Sequence, residues 1–145
     1  QTYHEVLGVR ALLVTLRGLG IPVGLITSGM PWKVATVTEQ LQLDGLFGTV
    51  VTAADITRGK PAPDCYRLGA ERLGVEPSRC LVFEDAVPGV QAARAAGMRC
   101  VGVQSPSGAE RLRDQGAFTV VADFRGVRVE AGRLHLSATE TLPLA

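Results

Sequence analysis

One stretch, residues 83–97, constrains the fold of this chain more than any other. It starts at the end of an apolar run, residues 81–83, and two carboxylates, Glu84 and Asp85, follow the run at once. An alanine-rich segment comes next and stops at Gly97, a residue that commonly ends helices. A short apolar strand, an acidic turn and a helix in this order are typical of one unit of a parallel α/β sheet.

The two adjacent carboxylates indicate a metal site. In an open α/β sheet, ligands bind outside the carboxyl ends of the strands, where Glu84 and Asp85 are expected to lie. Mg²⁺ is usually held by one or two carboxylates together with substrate phosphate. The pair therefore predicts half of a magnesium site, and a solvated acidic turn after a buried strand is the alternative that these two residues leave open.

The rest of the chain alternates helices and short apolar strands. This alternation predicts a parallel sheet, Rossmann-like, with helices on both faces. Near the C-terminus, residues 127–129 and 134–136 alternate about a glycine-containing loop and predict a β-hairpin. The predicted helices are residues 9–19, 31–42, 64–73, a segment ending at 97, and 109–115; the predicted strands are residues 21–26, 49–53, 79–83, 98–103 and 118–122.

Composition excludes several classes of partner. The 145 residues are 46% hydrophobic and 20% charged, which is enough for one domain with a core. A net charge of +1 gives no reason to expect nucleic acid or an anionic membrane as partner. No run approaches the roughly 18 apolar residues that a membrane span needs. Three widely spaced cysteines, Cys65, Cys80 and Cys100, indicate reduced thiols and a cytoplasmic protein.

Two further segments carry polar groups suited to phosphate. Thr27, Ser28 and Gly29 follow the first predicted strand, and a hydroxyl with free N–H groups before a helix can hold a phosphate. An ordinary helix N-cap is the alternative for Thr27 or Ser28. Lys60 stands in the proline-rich segment 59–63, which would aim its ammonium at charge that develops in phosphoryl transfer. The alternative for Lys60 is an exposed surface lysine.

Together the three segments resemble the second, third and fourth motifs of the haloacid dehalogenase (HAD) superfamily. The matching residues are 24–29, 59–64 and 83–97, and the resemblance extends over residues 9–103. They are most similar to the subgroup that contains β-phosphoglucomutase and phosphoglycolate phosphatase.

The resemblance implies a Mg²⁺-dependent phosphatase or phosphomutase that acts on a small phosphorylated metabolite through an aspartyl-phosphate. By position, Thr27 and the rest of the loop 27–29 would bind the phosphate. Lys60 would neutralise the charge of the phosphate and the nucleophile. Asp85 would hold Mg²⁺, and Glu84 would support the metal or orient Lys60.

The chain departs from the family pattern in one large respect. The first motif, Asp-x-Asp-Gly-Thr, which carries the nucleophile, is absent, and so is the cap domain that follows it. The aspartates do not include two spaced by one residue; they are Asp44, Asp55, Asp64, Asp85, Asp114 and Asp123. The predicted organisation is a linker from a missing cap at residues 1–8, a partial HAD-like core at 9–125, and a C-terminal hairpin and tail at 126–145.

The missing first strand has a structural consequence. In the family it lies in the middle of the sheet, between the strands predicted here at residues 21–26 and 79–83. We therefore expect these two strands not to pair, and the gap to accept the missing N-terminal segment or another chain; a rearranged sheet that brings the two strands side by side is the alternative. Without the nucleophile, the chain alone is predicted to be inactive. A non-catalytic domain that keeps the fold for binding or assembly is the alternative.

Overall fold

The computed structural model describes residues 2–144; Gln1 and Ala145, the outer ends of the predicted linker and tail, lie outside the described residues. The helices are α1 Val9–Gly18, α2 Pro31–Gln40, α3 Asp64–Leu73, α4 Val87–Ala95 and α5 Pro106–Asp114, with 3-10 turns at Ala53–Asp55 and Pro77–Arg79. The strands are β1 Gly24–Ile26, β2 Thr49–Val51, β3 Leu81–Glu84, β4 Arg99–Val103, β5 Thr119–Val121, β6 Arg128–Glu130, β7 Arg133–His135 and β8 Thr141–Pro143. From residue 2 to residue 144, no helix has the length and apolar character needed to cross a membrane.

The strands form three sheets. β1 and β2 pair in parallel, and β3, β4 and β5 form a second parallel sheet in that order, which confirms the predicted α/β class. Over the described part of the chain, no hydrogen-bond ladder joins β1 to β3. The two strands are thus not paired, as expected. β6, β7 and β8 form an antiparallel sheet.

The sheet β3–β4–β5 is buried on both faces, because successive side chains of a strand point to opposite sides. In β4, Cys100 packs into one apolar cluster and the adjacent Val101 into a second, and both are fully buried. In β3, Val82 belongs to the first cluster and Phe83 to the second. Helices α3, α4 and α5 contribute to the first cluster, whereas α1 contributes to the second.

The C-terminal sheet covers the face on which α1 packs. Leu134 and Leu142 are buried there, together with Phe124, whose ring centroid lies 5.1 Å from that of Phe83. The pairing of β6 with β7 confirms the predicted hairpin. The third strand, β8, was not predicted, and it pairs with β7.

Several predicted bounds are corrected. The first strand begins at Gly24 rather than at residue 21, following Pro22, which lacks the N–H that a ladder requires. The second ends at Val51, because Thr52 starts a 3-10 turn. Helix α5 begins three residues earlier than predicted, with Pro106 in its first turn. Cys80 precedes β3 and is half-buried, whereas Cys100 lies in β4 and is a core residue.

Candidate active site

Glu84, the last residue of β3, is the centre of a closed hydrogen-bond network. Its side chain is 8% exposed. Oε1 accepts hydrogen bonds from Nζ of Lys60 at 2.5 Å and from the hydroxyl of Tyr66 at 2.8 Å. Oε2 accepts from the backbone N–H groups of Asp85 at 3.0 Å and of Ala86 at 3.2 Å. Of the two roles expected for Glu84, its contacts support the orientation of Lys60 rather than direct metal ligation.

Lys60 is held inside the protein. Its side chain is 14% exposed, and its ammonium lies 5.1 Å from the ring centroid of Tyr66, in addition to the ion pair with Glu84. Such a position over an aromatic face is favourable for a cation. The alternative interpretation of Lys60 as an exposed surface lysine is therefore wrong, and the expected contact between the third and fourth motif segments is present.

The loop that carries Lys60 is fixed at both ends by side chains. At its start, Oγ1 of Thr52 accepts from the N–H of Ala54 at 3.3 Å, and the backbone N–H of Thr52 donates to Asp55 at 2.8 Å. At its end, Arg58 donates two hydrogen bonds to Asp64, at 2.7 and 3.0 Å. The reciprocal Thr52–Asp55 contact is a capping box, and its spacing is a sequence signal that our prediction did not use.

Gly89, in the first turn of α4, packs directly against the carboxylate of Glu84. A Cβ at this position would lie 1.9 Å from Cδ of Glu84 and 2.0 Å from Oε1. Real Cβ atoms do not approach other atoms so closely, so a side chain here would displace the carboxylate. Gly89 therefore allows α4 to begin directly over the buried network.

The charges of this network support one another. Burial by itself would raise the pKa of Glu84, but the hydrogen bond and charge of Lys60, with smaller contributions from Tyr66 and Ala86, hold that pKa below its ordinary value. Burial, and then the charge of Glu84, raises the pKa of Tyr66. The carboxyl therefore stays ionised and the phenol stays protonated, which matches the hydrogen bond that Tyr66 donates.

Asp85 differs from its neighbour. It is exposed, and over residues 2–144 no hydrogen bond or ion pair involves its carboxylate. It lines a cavity of about 270 Å³ together with Gln104 and Arg111, and Nε2 of Gln104 donates to the backbone carbonyl of Asp85 at 3.4 Å. A free carboxylate at a strand end suits a hard cation. Among the described residues, however, no three acidic, histidine or cysteine side chains form a metal-binding cluster.

The loop after β1 is also open. Oγ1 of Thr27 accepts from the N–H of Gly29 at 3.0 Å, and the N–H of Thr27 donates to the carbonyl of Val51 at 3.0 Å. Ser28 is exposed. The N-cap of α2 is Met30, which makes no side-chain capping bond, so the alternative role of Thr27 or Ser28 as N-cap is wrong.

Helix α3 connects the two parts of the site. A Cβ on its Gly69 would lie 2.6 Å from Cδ1 of Ile26 in β1, and the hydroxyl of its Tyr66 bonds Glu84 in β3. In the region that the structure describes, no hydrogen bond joins Thr27 to Lys60 or Glu84. The structure thus brings Lys60 and Glu84 into contact and places the loop 27–29 at the end of β1, which α3 also contacts.

Comparison with known proteins identifies the family. The family model described as haloacid dehalogenase-like hydrolase matches residues 2–97, about two thirds of the chain. The chain therefore belongs to the haloacid dehalogenase-like hydrolases, as the three motif segments predicted.

Individual relatives are named as phosphatases and a phosphomutase. The validoxylamine A 7'-phosphate phosphatase of Streptomyces hygroscopicus subsp. limoneus is 37% identical over 83% of this chain and 56% of its own length. Hexitol phosphatase A of Escherichia coli is 42% identical over 74% of this chain and 49% of its own length. The crystal structure of a β-phosphoglucomutase from Clostridium difficile superimposes with a TM-score of 0.75 at 27% identity, covering 85% of this chain and 52% of that one. The chain thus spans about half the length of these relatives.

Proposed function

We propose that this chain forms part of the core of a Mg²⁺-dependent phosphatase or phosphomutase that acts on small phosphorylated metabolites through an aspartyl-phosphate. The observation that carries the proposal is the buried Lys60–Glu84 pair at the carboxyl end of β3, directly beside the exposed carboxylate of Asp85. A fixed cation suits a phosphate and a free carboxylate suits a metal; Lys60 bonds Glu84, and Asp85 follows Glu84 in the chain.

In this proposal the residues of this chain position the phosphate and neutralise its negative charge. Phosphoryl transfer depends mainly on alignment and on stabilisation of spread negative charge. Lys60 supplies a preorganised ammonium, because Glu84 and the ring of Tyr66 hold it before any substrate arrives. Of the loop 27–29, the hydroxyl groups of Thr27 and Ser28 and the N–H of Ser28 would face the phosphate oxygens, because the N–H groups of Thr27 and Gly29 donate within the protein.

Asp85 is the residue of this chain that would hold Mg²⁺, with Glu84 holding the adjacent backbone rather than the metal. When bound, the ion would polarise the phosphoryl oxygens. A single free carboxylate gives weak affinity, so we expect tight binding to need further ligands from outside this chain.

The nucleophile is proposed to come from a strand inserted between β1 and β3. In the described structure β1 pairs with β2 alone and β3 with β4 alone, which leaves one edge of each available. The occupant would be an N-terminal segment of the whole protein or another chain. It would place its aspartate at the carboxyl end of the sheet, near Lys60 and Asp85.

The relatives indicate the substrate class. The names of the two phosphatases refer to the phosphates of validoxylamine A and of hexitols, so we propose a phosphate monoester of a sugar, sugar alcohol or similar polyol. We also propose a cytoplasmic location, which the three free thiols of the chain support.

The test is an assay of the protein that carries this chain against a panel of sugar and polyol phosphates, with and without Mg²⁺. We expect Mg²⁺-dependent release of phosphate, lost by orders of magnitude in the Lys60→Ala variant. The Lys33→Ala variant changes the other lysine of the chain, which is exposed, and serves as the control. The 145-residue chain alone should be inactive; robust turnover by it would show that the nucleophile lies within these residues.

The second candidate is a non-catalytic domain that keeps the fold for binding or assembly. The absence of a pair of aspartates spaced by one residue favours it. Full retention of phosphate or partner binding, with no turnover by the complete protein on any substrate of the panel, would select this function instead.

A further inference from the structure

We propose that Tyr66 is a positioning residue that fixes the ammonium of Lys60, an inference that rests on the proposed role of Lys60 in phosphoryl transfer. Tyr66 is 5% exposed and belongs to α3, six residues after Lys60. It contacts the ion pair in two ways: its hydroxyl bonds Oε1 of Glu84 at 2.8 Å, and its ring lies beneath Nζ of Lys60 at 5.1 Å.

The hydroxyl of Tyr66 restricts a rotation of the Glu84 carboxylate that the backbone contacts of Glu84 still allow. The backbone N–H groups of Asp85 and Ala86 fix Oε2 of Glu84. With Oε2 fixed, the carboxylate can still rotate and move Oε1. The hydroxyl of Tyr66 bonds that second oxygen and stops the rotation, so the acceptor of Lys60 has one position.

The ring fixes the ammonium from a second direction. An ammonium has three N–H donors, and its hydrogen bond to Glu84 uses one of them. The aromatic face below Nζ attracts the cation and limits where it can move. The remaining donors can then meet a phosphate without a search through side-chain rotamers, a cost that flexible lysines otherwise carry.

A purely structural role for Tyr66 is the competing explanation, since the hydroxyl of a buried tyrosine usually needs a partner. The Tyr66→Phe variant separates the two, because it keeps the ring and its packing and removes the hydroxyl. Ala70→Gly is the matched control: Ala70 lies on α3 one turn further on, is 3% exposed, and has an apolar side chain that cannot hydrogen-bond to the network.

The test combines kinetics with chemical labelling. In the protein that carries this chain, kcat with a small phosphate monoester should fall about 3–10-fold in Tyr66→Phe with KM within about twofold, a loss of transition-state stabilisation alone. In parallel, mass spectrometry measures the acetylation of Lys60 relative to the exposed Lys33 in the same molecule. We expect the Lys60/Lys33 ratio of rates to rise severalfold in Tyr66→Phe and to stay unchanged in Ala70→Gly.

The outcomes decide the proposal. If Tyr66→Phe and Ala70→Gly give the same acetylation ratio and the same kcat, Tyr66 is structural and the proposal is wrong. If the complete wild-type protein has no phosphatase activity, the proposed function fails, but the acetylation ratio still shows whether Tyr66 positions Lys60. If Tyr66→Phe does not fold, the ratio is measured in Tyr66→Met, which removes both the hydroxyl and the aromatic face and adds no hydrogen-bond donor; an unchanged ratio there overturns the proposal.

Discussion

The buried and the exposed parts of the candidate site are built differently. In the buried part, every oxygen of Glu84 has a donor, and Lys60, Tyr66 and Gly89 pack around it. In the exposed part, Asp85 carries a carboxylate that no hydrogen bond in the described structure involves, and Ser28 is open to solvent. The protein thus satisfies the groups that must keep one position and leaves free those that would meet a ligand. Variants of Lys60, Gly89 and Asp85 test this difference through stability, and a variant of the core residue Cys100 tests the effect of burial on a thiol.

The largest effect is expected from removing the cation of the buried part. Lys60→Met leaves the carboxylate of Glu84 buried without its counter-charge. Such a break typically costs about 3–5 kcal/mol, a large part of the roughly 5–15 kcal/mol that keeps a domain folded. Urea unfolding measures the loss, and the matched control is Lys33→Met at an exposed helix position. A loss below about 1 kcal/mol would show that the pair is not preorganised as described.

The next effect concerns Gly89. Gly89→Ala places a methyl group where the carboxylate of Glu84 lies, so we expect a loss of about 1–3 kcal/mol from overpacking. Gly18→Ala is the matched control, since Gly18 is helical and a Cβ there meets nothing within 4 Å. That control should be neutral or stabilising by up to about 1 kcal/mol. Thermal unfolding of both variants measures the contrast, and equal midpoints would contradict the close packing.

A smaller effect depends on pH. Burial raises the pKa of Cys100 to about 12, above the ordinary value of a thiol. The unfolded chain therefore loses this proton first, and stability falls as pH rises above about 8.5, by at most about 1.4 kcal/mol per pH unit for this thiol. Cys100→Ala removes this contribution. The difference in unfolding free energy between wild type and variant should be constant at neutral pH and change above pH 9. A difference that stays constant over the whole pH range would contradict the raised pKa of Cys100.

The smallest stability effect is expected in the exposed part. Asp85→Asn removes a charge that no partner in the described residues compensates, so stability should change by no more than about 0.5 kcal/mol. In the complete protein the same variant should weaken the response to Mg²⁺. Calorimetric titration of Mg²⁺ measures this, and equal affinity in wild type and variant would remove Asp85 from the metal site.

The sequence identifies the candidate-site residues that follow a strand or lie in a proline-rich loop, and it does not identify all of the buried residues that support them. Thr27, Lys60 and Asp85 are recognisable because each follows a strand or lies in a proline-rich loop. Tyr66 was not recognised, because an aromatic residue in an amphipathic helix is most often a core residue, and its hydroxyl gives no periodic signal. Gly89 belongs to the segment 83–97 that the sequence singles out, but the need for a glycine there is not visible from the sequence. That need comes from the contact of α4 with the carboxylate of Glu84 in β3.

The fold, too, is predicted in part from the sequence and missed in part. The order of helices and strands and the separation of β1 from β3 follow from alternation and from the family motifs. β8 was missed, because Thr141–Pro143 is three residues long and contains a proline, which argues against a strand unless the strand lies at an edge. Its apolar partner surface, around Leu134, exists only after β7 has formed.

The two unpaired edges of β1 and β3 bear on how the isolated chain would behave in solution. An uncovered strand edge is a template for pairing with another molecule. Contact between copies through these edges would form closed oligomers where the rotation between copies closes, and open polymers where it does not. The strands are three and four residues long, so each junction would be weak. Sedimentation velocity should then show a gradual, concentration-dependent increase in mass, and a single monomeric species at high concentration would show that the edges are protected.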